Sequence, residues 1–300
     1  MVRRSNPNQG YFTKIVIVGL FLVIVIAMLA SIYFTSNPNQ KQDIRSRAAE
    51  PSAPLLSLNF NNGWNGTAGQ APTAVTGPAW LRPGPKALGQ SAYLYNNSTL
   101  WYPAAGNFNK DAGTLEFLFR PLTWNNDTYL GHRFFQVNFK CTALTGTGSP
   151  CENYMALEID NGPSESTKTI WFSVSDSQSA WVGSHTKTAQ AEVQIARPYN
   201  RWYHIAVTWD KNVGSKIYVN GISVAQNNES YSLNDITDPS PNGGGVIAIT
   251  QNSGLGVNFN VSVDSIIDNY TIYGYAKDGP TINSEYLSAK SSYLSVTPSP

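Results

Sequence analysis

The sequence predicts an all-β fold, an antiparallel β-sandwich, preceded by one transmembrane α-helix. One segment, Ile15 to Phe34, is apolar and carries no charged side chain. After residue 54, short segments alternate apolar and polar residues and are separated by turns rich in Gly, Asn, Asp and Pro. Period-two alternation is typical of half-buried strands. The 300 residues include 24 Gly, 18 Pro and 12% aromatic residues, which favours many short strands over a helical bundle or a disordered chain.

Charge is sparse and unevenly distributed, which argues against some partners. Only 13% of the residues are charged, about half the usual share. Residues 1–47 carry six basic side chains and one acidic one, so residues 48–300 keep 14 of the 20 basic and 18 of the 19 acidic residues. A mildly acidic body without a basic stripe argues against nucleic-acid binding. The two Cys and three His are not clustered as a zinc site requires.

Residues 15–34 predict a membrane anchor. At about 1.5 Å per residue they span about 30 Å, the thickness of the hydrocarbon core of a bilayer. Lys14 stands at one end, and the aromatic residues Tyr33 and Phe34 stand at the other. We expect an uncleaved signal anchor, so that the protein crosses the membrane once, residues 1–14 are cytoplasmic and the C-terminal domain is extracellular.

Three alternatives remain for the N-terminal segment. A buried core helix rarely runs this long without a polar face. A cleaved signal peptide has an apolar region of only about 7–15 residues. The run Gly10-Tyr11-Phe12-Thr13 resembles a type IV pilin leader, although Gln9 and Ile15 depart from that pattern. Such a leader would make the protein a pilin-like structural subunit of the cell surface.

The rest of the chain divides by composition. Residues 35–53 are polar and contain Pro, which predicts a linker. Residues 54–290 contain the strand-like segments and form the predicted body. Residues 291–300 end in Thr-Pro-Ser-Pro and are predicted to be a tail.

The strand signals of the body follow one another at short intervals. The Asn220-Gly221 pair predicts a tight hairpin turn. A weak helical period occurs only near Ser284–Ala289. The predicted strands include Thr114–Arg120, Tyr203–Trp209, Lys216–Val219, Val246–Thr250 and Tyr270–Tyr275.

Several of these segments, in their order along the chain, resemble the laminin G-like (concanavalin A-like lectin/glucanase) superfamily. The strongest match is the run Trp202-Tyr203-His204-Ile205-Ala206-Val207-Thr208, followed at the expected interval by Tyr218-Val219-Asn220-Gly221. Asn269 stands where the family commonly has an acid. The segments that carry the resemblance are Leu56–Asn62, Gly113–Pro121, Arg201–Asp210, Lys216–Gly221 and Ile267–Tyr273.

The resemblance implies a jelly-roll β-sandwich of the concanavalin A type over residues 54–290. It implies less about function, because this fold carries lectins, adhesion modules and glycosidases. We expect a membrane-anchored binding module that recognises carbohydrate or a cell-surface glycoconjugate, through loops at one end of the sandwich or through its concave face.

A polysaccharide-active glycosidase is the enzymatic alternative. Retaining glycosidases need two carboxylates about 5–5.5 Å apart, and Glu158 and Asp160 share one face of a predicted strand. The position of the further Glu in the superfamily motif holds Gly162 or Pro163. No Gly-x-Ser-x-Gly element supports a serine hydrolase. We therefore expect no catalytic residues.

Three tryptophans are candidate sugar platforms. Trp64, Trp124 and Trp181 stand in turn-like segments that are rich in Asn, Asp or Ser. An exposed indole can stack on the apolar face of a sugar ring, and neighbouring amides suit its hydroxyls. The alternative is that these indoles close the ends of the core.

The resemblance also implies a possible calcium ion between the first and last strands. Calcium takes six to eight oxygen ligands, and Asn61, Asn62 and Asp268 could meet there. The alternative is ordinary turn and hydrogen-bond chemistry.

Cys141 and Cys151 flank a loop rich in Gly, Ser and Thr. Outside the cytoplasm such a pair predicts a disulfide. Two free thiols are the alternative.

Overall fold

The computed structural model describes residues 53–84, 89–95, 98–124, 132–141, 151–175, 186–195, 197, 199–233, 245–249 and 264–293. No helix in these ranges is long and apolar enough to cross a bilayer. The predicted span, residues 15–34, lies outside them.

The described residues form strands throughout and one helix near the C-terminus. The first strands are β1 (Leu56–Leu58), β2 (Ala74–Thr76), β3 (Ala79–Pro83), β4 (Gln90–Leu94), β5 (Thr99–Pro103), β6 (Ala112–Pro121), β7 (His132–Cys141) and β8 (Cys151–Asn161). They are followed by β9 (Thr167–Ser175), β10 (Thr186–Gln194), β11 (Tyr203–Asp210), β12 (Gly214–Val219), β13 (Ile222–Asn227), β14 (Val246–Ile249), β15 (Ser265–Tyr273) and the helix α1 (Gly279–Tyr293).

These strands make two antiparallel sheets. The eight-stranded sheet has the order β13-β12-β11-β6-β15-β4-β3, and β1 also pairs with β15. The seven-stranded sheet has the order β10-β9-β8-β7-β14-β5-β2. Buried side chains of both sheets form one hydrophobic core. The prediction of an all-β, antiparallel sandwich is confirmed, and the arrangement is consistent with a jelly roll.

The strongest strand predicted from sequence is β11, and its alternation explains its place. Ile205, Val207 and Trp209 are fully buried in the shared core, because alternate residues of a strand point to the same face. The β12–β13 hairpin follows, and its turn residues Asn220 and Gly221 have φ values of 51° and 76°. Two positive φ values are what a tight two-residue hairpin turn requires.

Trp209 organises the centre of the core. Its ring stacks on Phe108 at 5.4 Å and on Phe172 at 6.0 Å between ring centroids. Its indole N–H donates to the carbonyl of Asn109 at 2.9 Å. Gly113, its partner on β6, has no room for a side chain, because an added Cβ would overlap the indole.

The helix α1 is longer than the sequence indicates. It has 15 residues and extends past residue 290 into the predicted tail. Asp278 Oδ1 accepts the N–H of Thr281 at 2.8 Å, which is the contact of an N-cap residue. Ile282 is fully buried against Ala206 and Tyr218 of the eight-stranded sheet. Most of the stability of such a helix comes from tertiary packing, and one fully buried apolar residue leaves little periodicity in the sequence.

Candidate functional site

The outer face of the seven-stranded sheet gathers charged and aromatic side chains. On β8, Leu157 and Ile159 lie in the core. Their neighbours Glu158 and Asp160 therefore lie on the opposite, outer face. Both acidic residues are only partly buried, so this face carries charge at a position open to a ligand.

A bulge in β7 completes the charged part of this face. The pairing register shifts between Arg133 and Phe135, and such a bulge re-aims the side chains of one strand. Arg133 forms an ion pair with Glu158 and also donates a hydrogen bond to Gln136. Arg133 Nε has no hydrogen-bond partner among the described residues. A buried donor without a partner is uncommon in folded proteins.

Asp160 differs from an ordinary surface acid. Burial, and after it the negative charge of Glu158, raise the pKa of Asp160 to about 6, although Arg133 acts in the opposite direction. Asp160 therefore exchanges its proton near neutral pH and changes between hydrogen-bond donor and acceptor there.

Two indoles flank these groups. Trp171 lies on β9 directly opposite Glu158, between the core residues Ile170 and Phe172. Trp101 lies on β5 and donates from its Nε1 to Thr76 Oγ1 at 3.2 Å. Four strand spacings separate β9 from β5, or about 19 Å. We call the set of Trp101, Arg133, Gln136, Glu158, Asp160 and Trp171 the polar-aromatic face.

The sequence contains a signal for Trp171 that turn-based reasoning missed. The run from Thr167 to Ser175 alternates, and Ile170, Phe172 and Val174 are its core residues. That alternation alone places Trp171 on the outer face. Arg133 carries no such signal, since the bulge that orients it is not visible in the residue pattern.

The structure places two of the three predicted platform tryptophans beside the core. Trp124 is 4% exposed, its Nε1 donates to Asn161 Oδ1 at 2.6 Å, and Lys168 Nζ lies 4.8 Å from its ring centroid. Trp64 is half-buried, and its carbonyl accepts the hydroxyl of Tyr102 at 2.6 Å. These contacts favour the packing interpretation.

Trp181, the third predicted platform, lies outside the described residues. Trp64 and Trp124 are not part of the polar-aromatic face, and the role of all three tryptophans in ligand binding stays a prediction.

The predicted calcium ligands are partly brought together. Asp268 is fully buried and accepts the hydroxyl of Ser91 at 2.7 Å, and burial raises its pKa to about 7. Asn61 Oδ1 accepts the N–H of Gln90, the residue before Ser91, at 2.7 Å. Asn62 is exposed, and no described contact joins it to Asp268.

Calcium takes six to eight oxygen ligands, and only the side chains of Asn61 and Asp268 among the three predicted ligands are connected through described contacts. Each of these two side chains keeps lone pairs that could bind an ion. Among the described residues, no three His, Cys, Asp or Glu side chains are grouped to hold a metal ion. Calcium binding by these residues stays a prediction.

The two cysteines face each other across a strand pair. Cys141 ends β7, Cys151 begins β8, and the two are direct partners in the register. Directly opposed residues have Cα atoms about 4.5–5.5 Å apart, which lies within the range of disulfides. Their side chains lie outside the described residues, so the disulfide stays a prediction.

Two of the three histidines are described, and both are enclosed. His132 is 2% exposed, and burial lowers its pKa to about 3. His204 lies on the other sheet, with Nε2 3.3 Å from Glu116 Oε2. His185 lies outside the described residues. Neither described histidine reaches the polar-aromatic face.

Comparison with known families gives one match to most of the body. Residues 89–283 match the family model Laminin_G_3, described as the concanavalin A-like lectin/glucanases superfamily. No curated protein matches the chain.

Among solved structures, receptor-binding domains of botulinum neurotoxins have a similar fold. The binding domain of neurotoxin DC in complex with SialylT superposes with a TM-score of 0.54 at 16% identity, over 78% of this chain and 51% of that one. The receptor-binding domain of neurotoxin type G gives 0.52 at 17% identity, over 79% and 52%. The third is a structure of neurotoxin type C, a toxin whose cell entry depends on interaction with two ganglioside molecules. It superposes with a TM-score of 0.53 at 16% identity, over 79% of this chain and 51% of that one. The chain thus spans about half the length of these proteins.

Proposed function

The chain belongs to the concanavalin A-like lectin/glucanases superfamily, and on that premise we propose that its β-sandwich is a carbohydrate-binding module. The ligand lies on the polar-aromatic face. The residues that contact it are Trp171, Trp101, Arg133, Glu158 and Asp160. Gln136 is 5% exposed and accepts a hydrogen bond from Arg133.

The observation that carries this proposal is the pairing of Trp171 with the Arg133–Glu158 ion pair. The indole and the carboxylate are direct cross-strand neighbours on one face. Sugars present apolar C–H faces and hydroxyl groups together, so a site for them combines an aromatic surface with fixed donors and acceptors. The Arg133 side chain is 20% exposed, and its guanidinium carries five N–H donors.

The dimensions of the face favour an extended ligand. Trp101 and Trp171 lie about 19 Å apart across the sheet. A single sugar ring cannot contact both indoles. We therefore propose an oligosaccharide or a glycoconjugate chain as the ligand.

The similar structures support this proposal in a general way. The binding domain of neurotoxin DC forms a complex with SialylT, and the cell entry of neurotoxin type C depends on interaction with two ganglioside molecules. At 13–17% identity the likeness concerns the fold. The ligand class of this chain therefore rests on the polar-aromatic face.

A glycan array tests the proposal directly. The full chain is applied in detergent, and we expect binding to one sugar class. Trp171→Ala should weaken that binding by about 30-fold, the effect of losing about 2 kcal/mol at an aromatic contact. Trp80→Ala is the matched control, because Trp80 is 48% exposed and lies on the other sheet. Equal binding by both variants would contradict the proposal.

The same array, run with calcium and then with EDTA, tests the predicted metal site. Loss of binding in EDTA would support calcium at Asn61, Asn62 and Asp268. Unchanged binding in EDTA would keep the carbohydrate site and remove the need for the ion.

We further propose that residues 15–34 anchor the module in a membrane, with the sandwich on the extracellular side. The uncharged apolar span supports this. Protease treatment of intact cells should release the body, and the intact chain should carry Met1. A mature N-terminus at Tyr11 would instead indicate a pilin-like subunit.

A glycosidase is the second candidate, and one observation favours it. Glu158 and Asp160 share a face, and the raised pKa of Asp160 is typical of a general acid. The ion pair of Glu158 with Arg133 opposes this role. We expect no release of product from the sugar that the array identifies. Release that is abolished by Glu158→Gln or by Asp160→Asn would establish the enzyme.

A further inference from the structure

Aromatic side chains cluster on the outer face of the eight-stranded sheet, at its β3 edge. Ala92 and Leu94 of β4 lie in the core, so the residue between them, Tyr93, lies on the outer face. Trp80 of β3 is its direct cross-strand partner, and the two rings stack with their centroids 5.5 Å apart. The ring of Tyr95 lies 6.3 Å from that of Trp80 and 6.4 Å from that of Tyr93. The three rings therefore form one continuous aromatic surface.

This aromatic surface is open to solvent. Trp80 is 48% exposed and Tyr95 is 41% exposed. The helix α1 packs through Ile282 on Ala206 and Tyr218, which belong to β11 and β12, so it covers a different part of the same face. A contiguous apolar surface that is exposed and bordered by polar groups marks an interaction site.

Two arginines border the rings. Arg82 Cζ lies 4.4 Å from the ring centroid of Tyr93. Arg120 of β6 lies in the same row across the sheet, because Ile266 of β15 pairs with Tyr93 on one side and with Arg120 on the other. Three strand spacings separate β3 from β6, or about 14 Å. We call the set of Trp80, Arg82, Tyr93, Tyr95, Arg120 and Ile266 the aromatic-basic patch.

The patch carries an excess of positive charge. Neither Arg82 nor Arg120 has an acidic partner among the described residues, since Arg82 contacts the Tyr93 ring and Arg120 Nε donates to the neutral Asn200 Oδ1 at 2.6 Å. Burial, and after it the negative charge of Asp264, raise the pKa of Tyr93, although Arg82 acts in the opposite direction. Two arginines thus stand against one nearby acidic group.

This composition suits a lipid headgroup layer better than a sugar or a protein. Trp and Tyr side chains prefer the interface between a bilayer and water, and basic side chains are attracted to anionic lipids. A sugar site needs placed polar groups beside its aromatic rings, whereas the apolar Ile266 stands between Tyr93 and Arg120. A further strand would meet Pro83 at the β3 edge, which has no N–H to donate. A second copy of the chain would bring like charges together.

We infer that the aromatic-basic patch docks on the headgroup layer of a bilayer that contains anionic lipid. The rings of Trp80 and Tyr95 enter the headgroup layer, and Arg82 and Arg120 contact lipid phosphates. The inference rests on the proposed membrane anchor, which brings the sandwich to a bilayer. It shares no residue with the polar-aromatic face.

Docking determines the direction in which the carbohydrate site faces. The two sheets share one core, so their outer faces point in opposite directions. When the aromatic-basic patch lies on the bilayer, the polar-aromatic face of the other sheet points away from it. A carbohydrate on another cell or in the medium then reaches that face without obstruction by the membrane.

Hydroxyl-radical footprinting of the full chain with lipid nanodiscs, read by mass spectrometry, tests the inference. The discs contain phosphatidylcholine alone or phosphatidylcholine with phosphatidylglycerol. Each basic residue near an anionic surface favours the docked state by about 5-fold, so two arginines favour it by about 30-fold. We therefore expect the oxidation rates of Trp80 and Tyr95 to fall by at least about 5-fold in the anionic discs. Trp101, a partly buried indole on the other sheet, is the internal control and should keep its rate.

Variants locate the contact. Arg82→Glu reverses one charge of the patch and should raise the oxidation rate of Trp80 in anionic discs by at least about 5-fold. Lys290→Glu makes the same change of charge at an exposed position of α1, outside the patch. It should leave the protection of Trp80 unchanged.

Several outcomes would overturn the inference. One is equal oxidation of Trp80 in neutral and anionic discs, and another is equal protection in Arg82→Glu and the parent. Protection that appears without lipid and increases with protein concentration would place a second copy of the chain on the patch, and would also overturn it. Alkaline carbonate extraction of vesicles that contain the full chain tests the anchor separately. Release of the chain would contradict an anchor at residues 15–34, while the footprint alone decides whether the patch docks.

Discussion

Replacing Lys277 with Met should destabilise the sandwich strongly. The Lys277 side chain is 2% exposed and that of Glu116 is 9% exposed. The Met side chain has a similar length but cannot neutralise Glu116 or Glu285, whose Oε1 atoms lie 2.7 Å and 2.6 Å from Lys277 Nζ. Burial alone would raise the pKa of Glu116, but hydrogen bonds from His204 and Lys277 hold it below its ordinary value. Without Lys277, Glu116 is left as a buried charge.

The expected loss follows from that burial. Breaking a buried ion pair by removing one partner costs about 3–5 kcal/mol. His204 still faces Glu116, so we expect the lower end, about 3 kcal/mol. For a domain of this size each kcal/mol lowers the melting temperature by about 2–4 °C. Thermal unfolding followed by circular dichroism should therefore show a decrease of about 6–12 °C.

Two further variants separate charge burial from simple loss of packing. Lys290→Met alters an exposed lysine of α1, the helix that follows Lys277, and it should change stability by no more than about 0.5 kcal/mol. Combining Lys277→Met with Glu116→Gln removes the buried charge and should recover much of the loss. The reasoning would be refuted if Lys277→Met lowered the free energy of unfolding by less than about 1 kcal/mol. It would also be refuted if the double variant were no more stable than Lys277→Met.

Three other predictions concern separate parts of the sandwich. Gly113→Ala should cost about 1–3 kcal/mol in a denaturant titration, because its new methyl group would overlap the Trp209 indole, and an unchanged midpoint would contradict this. The pKa of Asp160 rises from 3.8 to about 6 on folding, so its stabilising contribution is present below pH 3.8 and lost as pH rises through 6. That rise corresponds to about 3 kcal/mol of unfolding free energy, which solvent screening reduces to about 1–2 kcal/mol. The parent should therefore lose this amount of stability between pH 3.5 and pH 8, and Asp160→Asn, which does not titrate, should not lose it. Added calcium should raise the melting temperature of the parent chain and leave that of Asp268→Asn unchanged; an equal shift in both would remove Asp268 from the ligand set.

Local patterns predicted the strands well, because burial of one face of a strand requires apolar residues at alternate positions of the sequence. The alternation of β11 and the Asn220-Gly221 turn both appear in the structure where the sequence places them. The sequence indicated only a weak helical period for α1, because Ile282 is the one described side chain of the helix that lies in a buried hydrophobic cluster. Its capping contact from Asp278 is local, but it does not determine how far the helix continues.

The candidate sites and the ion pairs of Lys277 were less predictable, because their residues meet only through the sheet pairing. Glu116 and Lys277 are 161 positions apart, and no local period connects them. Arg133 faces Glu158 because of a bulge that shifts the register. The turn-like setting of Trp124 left both a sugar platform and core packing open, and the structure places its indole 4% exposed beside Lys168.

The position of β15 has a consequence for how the chain folds. This strand lies in the middle of the eight-stranded sheet, where it pairs with β1, β4 and β6. It is also the last strand along the described chain to be synthesised, about 150 residues after β6. Contacts between such distant segments form slowly, since a long loop must close before they stabilise anything. The larger sheet therefore assembles only after residue 273 has left the ribosome, and until then β4 and β6 present open edges that a chaperone or another nascent chain can pair with.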